Sequence, residues 1–156
     1  MVRVVVGGTF ECLHDGHRKL IRKAFELAKG GEVDIGLTSD EMANRRLRHV
    51  PDYTTRKGNL LDYINKIADG QKYTVLKLND PYGKTLETEY DYIVVSPETY
   101  PVALKINKLR NENNMKEIEI IRVDFVLAED EKPISSTRIV QGEIDIHGHL
   151  KTHSGT

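Results

Sequence analysis

The sequence predicts an α/β fold: a Rossmann-like, doubly wound parallel sheet of five strands in a single domain. Three observations point there. Short β-branched apolar runs alternate with longer stretches of helical periodicity along the chain. The first run, Val2 to Val6, is nearly continuous rather than alternating, as expected for a strand buried on both faces of a parallel sheet. It leads into Gly7-Gly8-Thr9, a small-residue exit where a ligand can approach the backbone.

The elements follow in order. Arg18 to Lys29 carries an apolar stripe of Leu20, Ile21, Ala24, Phe25, Leu27 and Ala28, and Gly30-Gly31 closes it as a helix. Val33 to Leu37 is the second strand, and Thr38-Ser39-Asp40 offers caps for a short helix running towards Arg48. Thr54 to Asp69 is a helix with Leu60, Leu61, Ile64, Ile67 and Ala68 on one face, ended by Gly70. Tyr73 to Leu78 and Tyr92 to Val95 are strands separated by the turn-rich Asp80-Pro81-Tyr82-Gly83. Glu98 to Asn114 is helical, with Pro101 tolerated in its first turn. Glu117 to Val126 is the last strand, and Ser135 to Val140 a short helix after Pro133. Residues 1–145 form the domain on this reading, and 146–156 a flexible tail. In such folds ligands bind off the carboxyl ends of the strands, which selects the loops after Val6, Leu37, Leu78, Val95 and Val126.

Composition narrows the classes. A chain of 156 residues suits one domain and can bury a core without staples. A formal charge of -1 gives no overall basic field, so nucleic acid is excluded as a first partner. Cys12 is the one cysteine, which rules out an internal disulfide and fits a reducing compartment. The leading apolar run is too short for a signal-peptide core, and no run could span a bilayer, so a cytoplasmic protein with no membrane partner is expected. Nothing in the sequence sets an oligomeric state.

The chemistry concentrates in the first loop. His14 and His17 stand three residues apart near the start of the following helix, so they point the same way, with Gly16 between them leaving room beside the second imidazole. Two imidazole donors beside a helix N-terminus can spread anionic charge, as on a phosphate under attack. Alone, a His-x-x-His pair is two surface histidines or part of a metal site. Its context decides otherwise.

Gly8-Thr9-Phe10 followed by His14-Asp15-Gly16-His17 resembles the HxGH signature of the nucleotidyltransferase superfamily, and Ile134-Ser135-Ser136-Thr137-Arg138-Ile139 is similar to its second, C-terminal motif. Val94-Val95-Ser96-Pro97-Glu98-Thr99, with Ala103, Asn107 and Arg110, closely resembles the archaeal and eukaryotic-type phosphopantetheine adenylyltransferases. Asp80-Pro81-Tyr82-Gly83 and the segment from Gly36 to Met42 fit the same family, and the likeness runs from about Val2 to Asp145.

That resemblance implies transfer of AMP from ATP to 4'-phosphopantetheine, giving dephospho-CoA and pyrophosphate, with Mg2+ carried by ATP rather than by protein ligands. It implies that His14 and His17 are the catalytic pair. Gly8, Thr9, Phe10 and Gly16 would line the ATP site, and Thr9 would also meet the second substrate. Ser135, Ser136 and Thr137 would grip the outer phosphates, while Ser96, Glu98 and Thr99 border the adenosine. Asn107 and Arg110 would be substrate contacts. The family also needs a cation after the second strand; Arg45, Arg46 and Arg48 lie there, and Arg48 is favoured. Glu11 stands where the superfamily usually has Asp, which leaves the charge unchanged.

Two other functions remain open on sequence. Another HxGH enzyme, a cytidylyl- or FMN-adenylyltransferase, would share the fold and the first motif. A non-catalytic nucleotide-binding module would bind ATP without turnover. His147-Gly148-His149 with His153 could bind a metal, but it lacks cysteines and a carboxylate at ligand spacing, and a tail is the better reading.

Overall fold

A computed structural model describes residues 1–44 and 50–151. The strands are β1 (Arg3–Gly8), β2 (Glu32–Thr38), β3 (Lys72–Leu78), β4 (Tyr92–Val95) and β5 (Glu119–Arg122). The helices are α1 (Asp15–Leu27), α2 (Asp40–Ala43), α3 (Tyr53–Ile67), α4 (Tyr100–Glu112) and α5 (Ser136–Val140). All five strands are parallel, as the sequence predicts, and the structure sets their order as β3-β2-β1-β4-β5. The chain moves outward from β1 to β3, then returns past β1 to lay down β4 and β5. Loops leaving β1 and β4 therefore diverge, and the crevice between them is the topological switch point where ligands bind in open α/β sheets.

Strand side chains alternate between two cores. Val4 and Val6 of β1, with Val33, Ile35 and Leu37 of β2, pack against Leu20, Ile21, Ala24 and Phe25 of α1 and Leu60 and Ile64 of α3. On the other face Ile93 and Val95 meet Ala103 and Ile106 of α4 and Ile118. Each Leu or Ile side chain so withdrawn from water contributes about 1.5–3 kcal/mol. At the amino ends of the strands, away from the crevice, the Tyr90 hydroxyl donates to the buried Asp34 carboxylate at 2.6 Å. Burial and that hydrogen bond hold its pKa well above the usual tyrosine value. Among the described residues no helix is long and apolar enough to cross a membrane.

Several boundaries differ from the sequence expectation by two residues or more, and three of them shape the site. Helix α1 begins at Asp15, not Arg18, because His14 caps it with its own side chain. Helix α4 begins at Tyr100, after Ser96–Thr99 forms a hydrogen-bonded turn. Strand β5 stops at Arg122, four residues short of Val126. Its neighbour β4 ends at Val95, paired with Arg122. Beyond one last bond from Val123 N to Val95 O at 2.8 Å the ladder has no partner. Residues 123–126 are thereby released from the sheet towards the crevice.

Candidate active site

The exit of β1 builds the floor. Phe10 is 2% exposed yet holds a left-handed backbone, φ 47°, a conformation that costs a non-glycine residue of order 1 kcal/mol. Its ring lies over Gly8, where a Cβ would sit 3.3 Å from the ring, and meets His17 edge-on with centroids 5.2 Å apart. Gly8 thus has a steric reason.

The turn delivers the chain to His14, the N-cap of α1. His14 Nδ1 accepts from Gly16 N at 3.0 Å and from His17 N at 3.3 Å. His17 Nδ1 accepts in return from His14 N at 3.3 Å. This is a reciprocal capping box made by two imidazoles instead of a serine and a glutamate. A ring nitrogen that accepts has no hydrogen, so each neutral ring carries its proton on Nε2. The rings stack at 3.7 Å, 16° from parallel. Burial pulls the His14 pKa from 6.5 down to about 4, and nearby Asp15 opposes this only in part. At neutral pH His14 is therefore a fixed N–H donor and not a cation. Gly16 makes the cap possible: a Cβ there would lie 2.8 Å from His14 Cε1.

A cavity of about 740 Å³ opens in front of this pair. Gly8, Thr9, Phe10, His14, Gly16 and His17 form one wall. The β4–α4 turn supplies Ser96, Glu98 and Thr99, and Thr99 Oγ1 holds the turn by accepting from Ser96 N at 3.0 Å. The start of α5 supplies Ser135, Ser136 and Thr137, with Ser135 Oγ capping the helix by accepting from Arg138 N at 3.2 Å. The residues released from β5, Val123 to Val126, complete the lining. Two motifs more than a hundred positions apart in sequence so face one space.

Asn107 and Arg110 are not brought to it. Asn107 clamps the backbone of Ile118, donating from Nδ2 to its carbonyl and accepting its N–H at Oδ1, both at 2.8 Å. Arg110 is 1% exposed and donates to the carbonyls of Thr85, Thr88 and Lys116. Both side chains are consumed in joining α4 to the strand and loop beneath it. Arg45, Arg46 and Arg48 lie outside the described residues.

Sequence reasoning missed three cations. Lys132 and Arg138 line the cavity; their position beside and within the second motif was the available signal. Arg138 is itself neutralised, ion-paired with Asp130 and, at 2.8 Å, with Glu143. Arg56 is fully buried behind the Thr9 loop, and nothing local in sequence marks it. Residues 143–151, partly expected as tail, meet both motifs. Asp15 N donates to Ile146 O at 3.0 Å, and Glu129 N donates to Gly148 O at 2.9 Å. His147 Nδ1 lies 2.9 Å from Asp15 Oδ1. Among the described residues no three His, Cys, Asp or Glu side chains gather into a metal-binding group.

Comparison with known proteins agrees with this geometry. The pattern of the Cytidylyltransferase-like family matches residues 5–142. The phosphopantetheine adenylyltransferase of Methanosarcina barkeri (strain Fusaro / DSM 804) is 57% identical over 152 residues, covering 97% of this chain and 94% of that protein. The protein of the same name from Archaeoglobus fulgidus is 49% identical over 149 residues, covering 96% and 99%. A crystal structure of an Archaeoglobus fulgidus protein, described there as of unknown function, superposes with a TM-score of 0.72 at 44% identity, covering 79% of this chain and 90% of that one. A match through both motifs, joined to identity of this order over nearly the whole length, makes this chain a nucleotidyltransferase of the cytidylyltransferase-like family, within the phosphopantetheine adenylyltransferases.

Proposed function

We propose that the protein is a cytoplasmic enzyme that transfers AMP from ATP to 4'-phosphopantetheine, releasing pyrophosphate and forming dephospho-CoA. One observation carries the reading: the two stacked imidazoles, with both Nδ1 atoms tied to backbone N–H groups, face the Ser135-Ser136-Thr137 helix start across a single cavity.

An oxygen of the acceptor phosphate attacks the α-phosphorus of ATP in line. The new bond is phosphorus to acceptor oxygen, and the bond broken joins the α-phosphorus to the oxygen bridging to the β-phosphate. Pyrophosphate leaves with that electron pair. The attacking oxygen is ionised at neutral pH, so no proton need move and no general base is required. The residues work by position and charge. His14 and His17 donate from Nε2 to the α-phosphate as charge builds on its oxygens, already oriented by the cap. Ser135, Ser136 and Thr137, with the cation of Lys132, receive the leaving pyrophosphate. Ser96, Glu98 and Thr99 border the nucleoside, and Thr9 sits between the two substrates. The Lys132 ammonium and the hydroxyls at the α5 start suit triphosphate oxygens, and Mg2+ carried on ATP would neutralise phosphate charge there.

The test is pyrophosphate release from ATP and Mg2+ with a panel of phosphate acceptors. Turnover with 4'-phosphopantetheine is expected. Release with glycerol 3-phosphate or FMN but not with 4'-phosphopantetheine refutes the reading. ATP binding without turnover on any acceptor reduces the chain to a nucleotide-binding module.

A further inference from the structure

Arg56 occupies the first turn of α3, facing the core, where an apolar residue would pack without desolvating a charge. Its guanidinium is fully buried, and its one carboxylate partner among the described residues, Asp40 at 3.2 Å, has a half-exposed side chain. The remaining donors go to backbone at the carboxyl edge of the sheet. Nε donates to Pro51 O at 2.7 Å, and Nη1 to Thr38 O at 2.9 Å and Thr9 O at 3.1 Å. Burying a cation to satisfy carbonyls is a poor route to stability alone. The rigid fork of an arginine is, however, well suited to fixing several loops at once.

The side chains continue the chain of donors. Arg56 Nη1 also donates to Thr38 Oγ1 at 3.2 Å, and Thr38 Oγ1 donates to Thr9 Oγ1 at 3.1 Å. A hydroxyl has one hydrogen. Because Thr9 Oγ1 accepts from Thr38, its own hydrogen must point elsewhere, and among the described residues no acceptor takes it. Thr9 borders the cavity. The cation at the head of the relay polarises each hydroxyl in the same sense. What the cavity meets at Thr9 is therefore a hydrogen, the complement of an ionised phosphate oxygen that can only accept.

We propose that Arg56 and Thr38 are positioning residues that set the Thr9 hydroxyl as a hydrogen-bond donor to the phosphate of the acceptor substrate. This rests on the reaction assigned above. It gives the buried arginine and the left-handed turn after Thr9 a common purpose, since the same guanidinium pins the Thr9 carbonyl that precedes Phe10.

Thr38→Val is the sharpest probe, because it removes the relay hydroxyl while Arg56 keeps its three carbonyls. Arg56→Ala strips all of them and tests folding instead. The expected result for Thr38→Val is a rise of about ten-fold in KM for 4'-phosphopantetheine, the size of one hydrogen bond to an ionised acceptor. KM for ATP and the melting temperature should change little, and Thr38→Ser should restore the acceptor KM. Acceptor KM and kcat within two-fold of wild type in Thr38→Val overturn the proposal. So does an equal fall in melting temperature for Thr38→Val and Thr38→Ser without recovery of KM. A wild type that releases no pyrophosphate with this acceptor refutes the reaction and not the relay. The relay is then judged by titrating inorganic phosphate into wild type and Thr38→Val and following the Thr9 amide by NMR. Weaker binding to the variant supports it, and equal dissociation constants overturn it.

Discussion

Replacing Gly16 by alanine isolates the geometry of the histidine pair from its chemistry. The added methyl would lie 2.8 Å from His14 Cε1 and 3.0 Å from His14 Nδ1, so the ring must retreat by about 0.6 Å to reach ordinary contact at 3.4 Å. It cannot do so freely. The ring accepts two backbone N–H groups, stacks on His17 at 3.7 Å and is 6% exposed. Stability has opposing terms. Alanine is a better helix former than glycine by up to about 1 kcal/mol, whereas overpacking costs about 1–3 kcal/mol and each weakened hydrogen bond about 1 kcal/mol. The net is a modest loss, of order 1–2 kcal/mol. Catalysis is more sensitive, because misplacing a reacting group by about 1 Å can cost 10²-fold. A displacement of this size should lower kcat ten- to hundred-fold with little change in KM for ATP. Steady-state pyrophosphate release beside urea unfolding reads both quantities. Gly16→Ala with kcat within three-fold of wild type would refute the claim that the cap fixes the catalytic ring.

Other substitutions separate further roles. His14→Asn keeps a good N-cap but loses the Nε2 donor, so the unfolding free energy at pH 7 should hold within about 1 kcal/mol while kcat falls by about two orders of magnitude or more; equal losses of cap and activity would contradict the split. Burial holds His14 at a pKa of about 4 against 6.5 in the unfolded chain, so unfolding takes up a proton between those values. The stability it contributes is complete above pH 6.5 and is lost as pH falls towards 4, by about 1.4 kcal/mol per unit and about 3 kcal/mol in all. The stability difference between wild type and His14→Asn, followed by urea titration from pH 7 to 4, should show that slope, and a flat difference would remove it. Asn107→Ala should destabilise by about 2–3 kcal/mol, because it orphans both backbone groups of Ile118, while leaving KM for both substrates unchanged; a selective rise in either KM would return Asn107 to the substrate site.

The architecture and the two phosphate motifs were legible in sequence because both are written locally. β-Branched runs and helical stripes report burial residue by residue, and Gly8-Thr9-Phe10 with His14 to His17 sits within one strand-to-helix turn. Alternation of strands and helices gives a parallel sheet with right-handed crossovers, but the strand order, with its reversal beside β1, came from the tertiary structure. Sequence could not tell that His14 and His17 cap each other, since a capping histidine has no pattern distinct from a surface one. It could not decide Asn107 and Arg110 either. Their residue types suit a ligand as well as a carbonyl, and only the packing of α4 over Ile118 and the loop at Thr85 fixed which they meet. Arg56 was invisible for the same reason: three of its partners are the backbone carbonyls of Thr9, Thr38 and Pro51, and a backbone carbonyl has no letter in a sequence. The amino-acid order by itself thus determined the sheet, the helices and the two motifs that come together at one edge. The tertiary structure alone decided which polar side chains were left to face the cavity and which were used up holding it, because that depends on where distant backbone groups fall in space.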